Sequence, residues 1–245
     1  VTKAQSAGRK GRAFAFTLLI EAAFLMTRRM IVPLLFGLAG VAVLLSLGFW
    51  QMQRLAWKEG ELARIDARII DAPVALPLTA DPVADEYLPV TAKGRFTGEM
   101  LDVLVSRKQI GAGFRVISVL ETEDGRRVLV DRGFLEEAAR GLPRETTDIE
   151  VTGNLLWPDE VDGFTPEPDA TRGIWFARDL PAMAAALQAE PMLIIARSDS
   201  GDMIEPLPVD SSHIPNDHLN YAITWFSLAV VWAGMTLLLL WRIRR

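Results

Sequence analysis

Along two stretches of this chain the alternation of polar and apolar positions disappears. Ile31–Trp50 is twenty residues without a charge, and Tyr221–Trp241 is twenty-one. At about 1.5 Å rise per residue, each predicts a helix just long enough to span a hydrocarbon core of roughly 30 Å. After Trp50 the pattern becomes amphipathic. Leu55, Leu62, Ile65 and Ile69 recur at helical spacing among Arg54, Lys58, Glu61, Arg64 and Asp66. The first helix is therefore expected to continue out of the membrane until Pro73 and Pro77 stop it. Strand-like runs follow at Tyr87–Phe96, Leu101–Arg107, Phe114–Thr122, Arg127–Phe134 and Ile149–Trp157, with Glu123-Asp124-Gly125 as a hairpin turn. A short helix is expected at Leu180–Ala189, with Pro181 in its first turn, and a further apolar run lies at Met192–Ala196. Gly/Pro-rich connectors sit at Pro158–Pro168 and Glu205–Pro208. These elements predict a membrane α+β protein. Two transmembrane helices, 31–50 and 221–241, would frame a β-rich extramembrane domain over 51–220, an antiparallel sheet or small barrel with one or two helices.

Charge orients these elements. Arg28 and Arg29 precede the first span; Arg242, Arg244 and Arg245 follow the second. The positive-inside rule then places both flanks in the cytoplasm or matrix and 51–220 in the periplasm or intermembrane space. The expected location is a bacterial inner membrane, with the mitochondrial inner membrane as the alternative. Residues 1–25 form an extension whose apolar part, 13–25, is interrupted by Glu21 and too short to span. Met26-Thr27-Arg28-Arg29 reads as the natural start of a basic segment before an anchor. No small-x-small cleavage site follows the first span, so the anchor is expected to stay attached.

Composition narrows the chemistry. Nine of the 26 basic and one of the 31 acidic residues lie outside 51–220, which leaves that segment 17 basic and 30 acidic residues, a net −13. Such a domain is a poor nucleic-acid binder, because phosphate affinity comes from Lys and Arg. The chain has no cysteine. This excludes structural disulfides, thiolate zinc or iron–sulfur sites and covalent haem attachment through C-x-x-C-H. It has two histidines, His213 and His218, too few for a three-histidine metal site. No nucleophile elbow, zinc motif, P-loop or dinucleotide fingerprint is present, so no enzymatic role is expected.

Three separated segments resemble one family. The first is Leu47-Gly48-Phe49-Trp50-Gln51-Met52-Gln53-Arg54-Leu55-Ala56-Trp57-Lys58, at the exit of the first span. The second is Gly94-Arg95-Phe96, then Arg107, Gly113, Asp124-Gly125 and Val128-Leu129-Val130-Asp131-Arg132-Gly133-Phe134. The third is His218-Leu219-Asn220-Tyr221-Ala222-Ile223-Thr224-Trp225-Phe226, at the entry to the second span. Together they resemble the surfeit locus protein 1 family, membrane-anchored assembly factors of haem–copper cytochrome oxidases. The family pattern V-N-R-G-W is met here with Asp131 for the amide and Phe134 for the indole.

On a helix, residues 218, 221, 222 and 225 share a face. So do Trp50, Arg54 and Trp57 on the first helix, with Lys58 beside them. The topology brings both faces to one membrane surface, and they are expected to lie against each other. The imidazole of His218 can ligate haem iron, Tyr221, Trp225, Trp50 and Trp57 can flank a macrocycle, and Arg54 or Lys58 can pair with propionates. The resemblance implies more: some bacterial members look like haem a carriers, and His218 matches the implicated ligand. Two plainer readings stay open. The same aromatics stand where an interfacial belt stands, and Arg54 and Lys58 are placed to snorkel to headgroups. His213 has no supporting face. Arg95, Arg107 and Arg132 are either an anion site or partner patch, or solvated strand-edge charges.

The expected function is therefore an oxidase assembly factor that binds haem a transiently and helps insert it into the large catalytic subunit. Its partners would be that subunit, a haem a synthase and the lipid bilayer. The alternative is a haem-free chaperone that stabilises an oxidase subunit.

Overall fold

A computed structural model describes residues 2–107, 110–144, 146–212 and 214–245, with side chains of the first helix described from Arg28 onward. The chain forms two compact units. One comprises the chain up to Glu61 together with Pro215–Arg245; the other is Leu62–Ile214.

The first unit is a pair of helices. Helix α1 runs Thr2–Ile69, and the last helix, α3, runs His218–Arg244. Both are long and apolar enough to cross a membrane. Their outward residues are what lipid would meet: Val32, Phe36, Val230 and Leu237 are all largely exposed. A helix satisfies every backbone group internally, which is why these uncharged runs can form nothing else in hydrocarbon.

The second unit is built on a mixed seven-stranded sheet. Its strands are β1 (Val74–Ala75), β2 (Pro89–Arg107), β3 (Gly111–Thr122), β4 (Arg127–Glu136), β5 (Asp148–Leu156), β6 (Ile174–Trp175) and β7 (Leu193–Ala196). One helix, α2, spans Leu180–Leu187. The expected runs Tyr87–Phe96 and Leu101–Arg107 are one strand, β2, broken in register between Phe96 and Met100. That irregularity bends the strand. Its first half pairs antiparallel with β5 from Pro89↔Asn154 to Arg95↔Asp148, and its second half pairs with β3 out to Arg107↔Gly111. The pairings run in a closed circuit, β2–β3–β4–β7–β5 and back to β2. Gly94 sits where β2 is paired on both sides; a Cβ there would lie 2.1 Å from the carbonyl oxygen of Glu121.

The sheet is mixed, where an antiparallel sheet or a small barrel was expected. Strand β7 lies parallel to β4 and antiparallel to β5, and β1 and β6 each run parallel to part of β2. Within the apolar run Met192–Ala196, the strand Leu193–Ala196 has all four residues buried, so it shows no period-two alternation. Within the circuit pack Val90, Phe96, Leu120, Val130, Leu155 and Ile194. A second cluster joins Ile117, Leu129 and Ile195 to Leu180, Met183 and Leu187 of α2. Asp179 caps α2, its carboxylate accepting from the Ala182 N–H at 3.1 Å, and Gln188 closes it in the left-handed region.

The hairpin turn joins β3 to β4 as the sequence suggests. The Gly125 N–H donates to the Thr122 carbonyl at 2.9 Å, and the Arg126 N–H donates to the Thr122 hydroxyl at 3.0 Å. The α1 helix stops short of Pro73. Its last residue, Ile69, is buried, and its carbonyl accepts the Asn154 amide at 3.0 Å. The same amide reaches the Tyr87 carbonyl at 2.9 Å, so one buried side chain from β5 ties down the helix end and the approach to β2.

Candidate functional site

Helices α1 and α3 meet along a seam of small residues. On α3, Ala222 and Ala229 are buried. On α1, Gly37, Gly40 and Gly48 receive the side chains of Thr236, Trp232 and Phe226; a Cβ at Gly40 would lie 2.2 Å from the Trp232 indole nitrogen. That indole N–H donates to the Gly37 carbonyl at 3.2 Å. Phe49 meets Phe226 edge-on at 5.4 Å, and Phe36 meets Trp232 at the same separation. Lipid offers no hydrophobic drive for helix association, so close packing over small residues and a few interhelical hydrogen bonds must hold such a pair.

One turn beyond Gly48, the seam carries Gln51, which is 9% exposed. Its amide oxygen stands 2.8 Å from Nδ1 of His218, the first residue of α3. His218 itself is half-buried. In a membrane setting an interhelical hydrogen bond of this kind is worth about 0.6–2 kcal/mol. Among the described residues, Gln51 is the hydrogen-bond partner of the imidazole. In the neutral ring, Nδ1–H donating to the amide leaves a free lone pair on Nε2, the form in which histidine ligates a metal.

The other expected site residues distribute around this pair. On α3, Tyr221 is 57% exposed and Trp225 half-buried. On α1, Trp50 and Trp57 are 53% and 50% exposed, and Arg54 is exposed as well. The Arg54 guanidinium stacks over the Trp57 ring at 4.3 Å. Lys58 is half-buried. The α1 stripe that turns toward α3 thus carries Gly48 and Gln51, with Gln51 one position on from Trp50. Trp50, Arg54 and Trp57 were expected against the His218 face; the contact to His218 is made by Gln51, and these three side chains are exposed. A residue is rotated by about 100° from its neighbour, and the glycines decide which stripe faces the partner. Gln51 was legible only as a motif letter; its signal was an uncharged polar residue in register with Gly48. His213 lies outside the described residues.

The arginines Arg95, Arg107 and Arg132 do not converge on an anion site. Arg95 pairs with Asp148 at 2.8 Å, and Arg107 pairs with Glu205. Arg132 is buried, with Nε on the Ser200 hydroxyl at 2.8 Å, Nη2 on the Asp202 carboxylate at 2.8 Å, and its guanidinium 4.5 Å over Phe96. It is neither a strand-edge charge nor a free cation. Its neighbour Asp131 is fully buried and is held by Arg115 and, at 3.3 Å, by Arg178, while its other oxygen accepts the Gly133 N–H at 3.1 Å. Arg178 also grips Glu160. Partial burial alone would push the Glu160 carboxyl up; the hydrogen bond and charge of Arg178 outweigh it and hold the group below its ordinary 4.5. At Phe134 the strand is stitched to the connector: its N–H donates to the Glu205 carbonyl at 2.7 Å, and the reverse bond is 2.8 Å. The D-R-G-F segment thus builds the interior of the sheet unit.

Comparison with known proteins agrees with this division. The family model described as the SURF1 family matches residues 38–230, from within the α1 seam through the sheet unit to the first half of α3. Surfeit locus protein 1 of Xenopus tropicalis is 30% identical over 211 residues, covering 75% of this chain and 67% of the relative. The Homo sapiens protein of the same name is 30% identical over 210 residues, covering 75% and 69%. A SURF1-like protein of Rickettsia felis is 28% identical over 200 residues, covering 77% and 88%. With a family match over most of its length and two membrane-length helices framing an α+β unit, this chain belongs to the SURF1 family.

Proposed function

We propose that this chain is an assembly factor for haem–copper cytochrome c oxidase that takes up haem a as cargo at the membrane surface and assists its delivery to the large catalytic subunit. The observation that carries this reading is the imidazole of His218, half-buried at the first turn of α3 with Nδ1 on the Gln51 amide. That donor set suits haem. A neutral imidazole offers one axial ligand, and the exposed ring of Tyr221, one turn on along α3, offers apolar surface beside it. Arg54, or Lys58, supplies a cation for propionates near the headgroups. When bound, the haem would supply an iron centre to the recipient subunit; the chain contributes holding and release. A carrier needs moderate affinity, and a single strong ligand among exposed rings suits release better than an enclosed pocket would. A haem a synthase is the chemically required source of the cargo.

The test is complementation. In a host lacking this protein, the parent chain should restore haem a in the membranes and oxidase activity. His218→Ala should insert normally, since alanine is a good helix former, and should fail to restore both. If His218→Ala restores both fully, the chain is instead a haem-free scaffold for an oxidase subunit.

A further inference from the structure

Gln51 is a neutral amide turned into the seam, and its surroundings define its orientation. Its chain neighbours Trp50 and Met52 are exposed, yet Gln51 is 9% exposed. Gly48, one turn back, lets Phe226 approach closely, and Ala222 on α3 is buried. The helices are therefore pinned at a spacing that leaves the Gln51 amide opposite one nitrogen of one ring. Its oxygen, at 2.8 Å from Nδ1, can only accept. In this pairing the ring nitrogen is the donor.

We propose that Gln51 is a positioning residue for His218: its amide oxygen accepts the Nδ1–H bond, holds the neutral ring in that tautomer and presents Nε2 as the nitrogen that takes up iron. The inference rests on the reading of His218 as the haem ligand. A histidine left to itself favours the proton on Nε2, the nitrogen that reaches outward, and in that form it has no outward lone pair. The partner that fixes the tautomer also fixes the plane of the ring, which sets how a macrocycle sits against Tyr221 and Trp225. Outer partners of this kind typically change metal affinity by 10–100-fold when removed. Glutamate matches glutamine in length and keeps the acceptor. Leucine keeps the bulk and removes it. Asparagine is one methylene too short to close the distance.

The experiment has two arms on the full chain in lipid. The first needs no haem. In a His213→Ala background, His218 is the one imidazole, and 15N shifts of labelled histidine separate protonated from bare ring nitrogens. The expected result is a protonated Nδ1 and a bare Nε2, lost on adding Gln51→Leu. A protonated Nε2 before that change overturns the proposal. The second arm titrates haem a into the parent, Gln51→Leu, Gln51→Glu and His218→Ala. Gln51→Leu should weaken binding by about 10-fold. Gln51→Glu should restore it, with the iron–histidine stretch moved to higher frequency by the stronger acceptor. His218→Ala should abolish the complex. If Gln51→Leu binds as the parent does while His218→Ala does not, the positioning role is wrong and the ligand reading stands. If His218→Ala binds as the parent does, the ligand reading itself fails, whatever the tautomer.

Discussion

At the scale of single residues, the most costly placement in the sheet unit is Asp131, a fully buried carboxylate. It is tolerable because Arg115 and Arg178 both reach it. Removing one side of such a group leaves uncompensated buried charge, so Asp131→Ala should cost about 3–5 kcal/mol. Denaturant unfolding of the purified chain, followed by tryptophan fluorescence, measures this; a loss under about 1 kcal/mol would show that the cluster contributes little. Glu160 gives the corresponding pH dependence. Its folded pKa is depressed, so its contribution is fully present above the ordinary 4.5 and is lost as pH falls below that through the depressed value. Arg178→Met removes the main lowering partner and should flatten this acid limb; an unchanged profile would assign the limb to other carboxylates. The sequence marks Asp131 only as a carboxylate where the family pattern has an amide. Its partner Arg178 is 47 residues away, and nothing in either local pattern points to the other.

At the scale of elements, legibility follows the solvent. The two long apolar helices were readable because a run of twenty uncharged residues suits little besides a helix in hydrocarbon. The extended α1, the Glu123–Gly125 hairpin and α2 were readable from periodicity and capping residues. The merging of two runs into β2 was not, because a bulge within one strand interrupts alternation as a turn does. Nor was the parallel edge of β7, since a strand buried on both faces carries no period. Two predictions belong here. Gly133 has φ +119°, and a Cβ on it would lie 2.1 Å from the Glu205 carbonyl oxygen. Gly133→Ala must therefore break the Phe134–Glu205 stitch or fail to fold. A drop of at least about 3 kcal/mol is expected in the same unfolding measurement, as backbone strain and lost hydrogen bonds add. In the helix pair, a Cβ at Gly37 would lie 2.2 Å from Cγ2 of Thr236, too close for a side chain at the observed spacing. Gly37→Leu should therefore force the helices apart. After cleavage of the intervening chain, the parent's two helix fragments should stay associated in mild detergent and those of Gly37→Leu should separate. Fragments of Gly37→Leu that stay associated as the parent's do would mean that the helices do not pack along this seam.

At the scale of the whole molecule, the charge asymmetry predicts the topology. Arg28 and Arg29 flank one span and Arg242, Arg244 and Arg245 the other, while 51–220 carries a net −13. A reporter joined after Arg245 should therefore read as cytoplasmic or matrix-side, and a reporter in the connector at Pro158–Pro168 should read on the opposite side. The same side for both would overturn the arrangement. Of the candidate site, His218, Tyr221 and Trp225 were visible in the sequence as a helical face. Gln51 was not, because which α1 stripe faces α3 depends on glycines one to three turns away and not on the polar residues themselves. The central claim, that the chain holds haem a through His218, has one direct test. The protein purified from a haem-a-producing host should show a haem a absorption spectrum at near one haem per chain, and His218→Ala purified alongside should show none. A colourless parent, or a His218→Ala spectrum equal to the parent's, would contradict it.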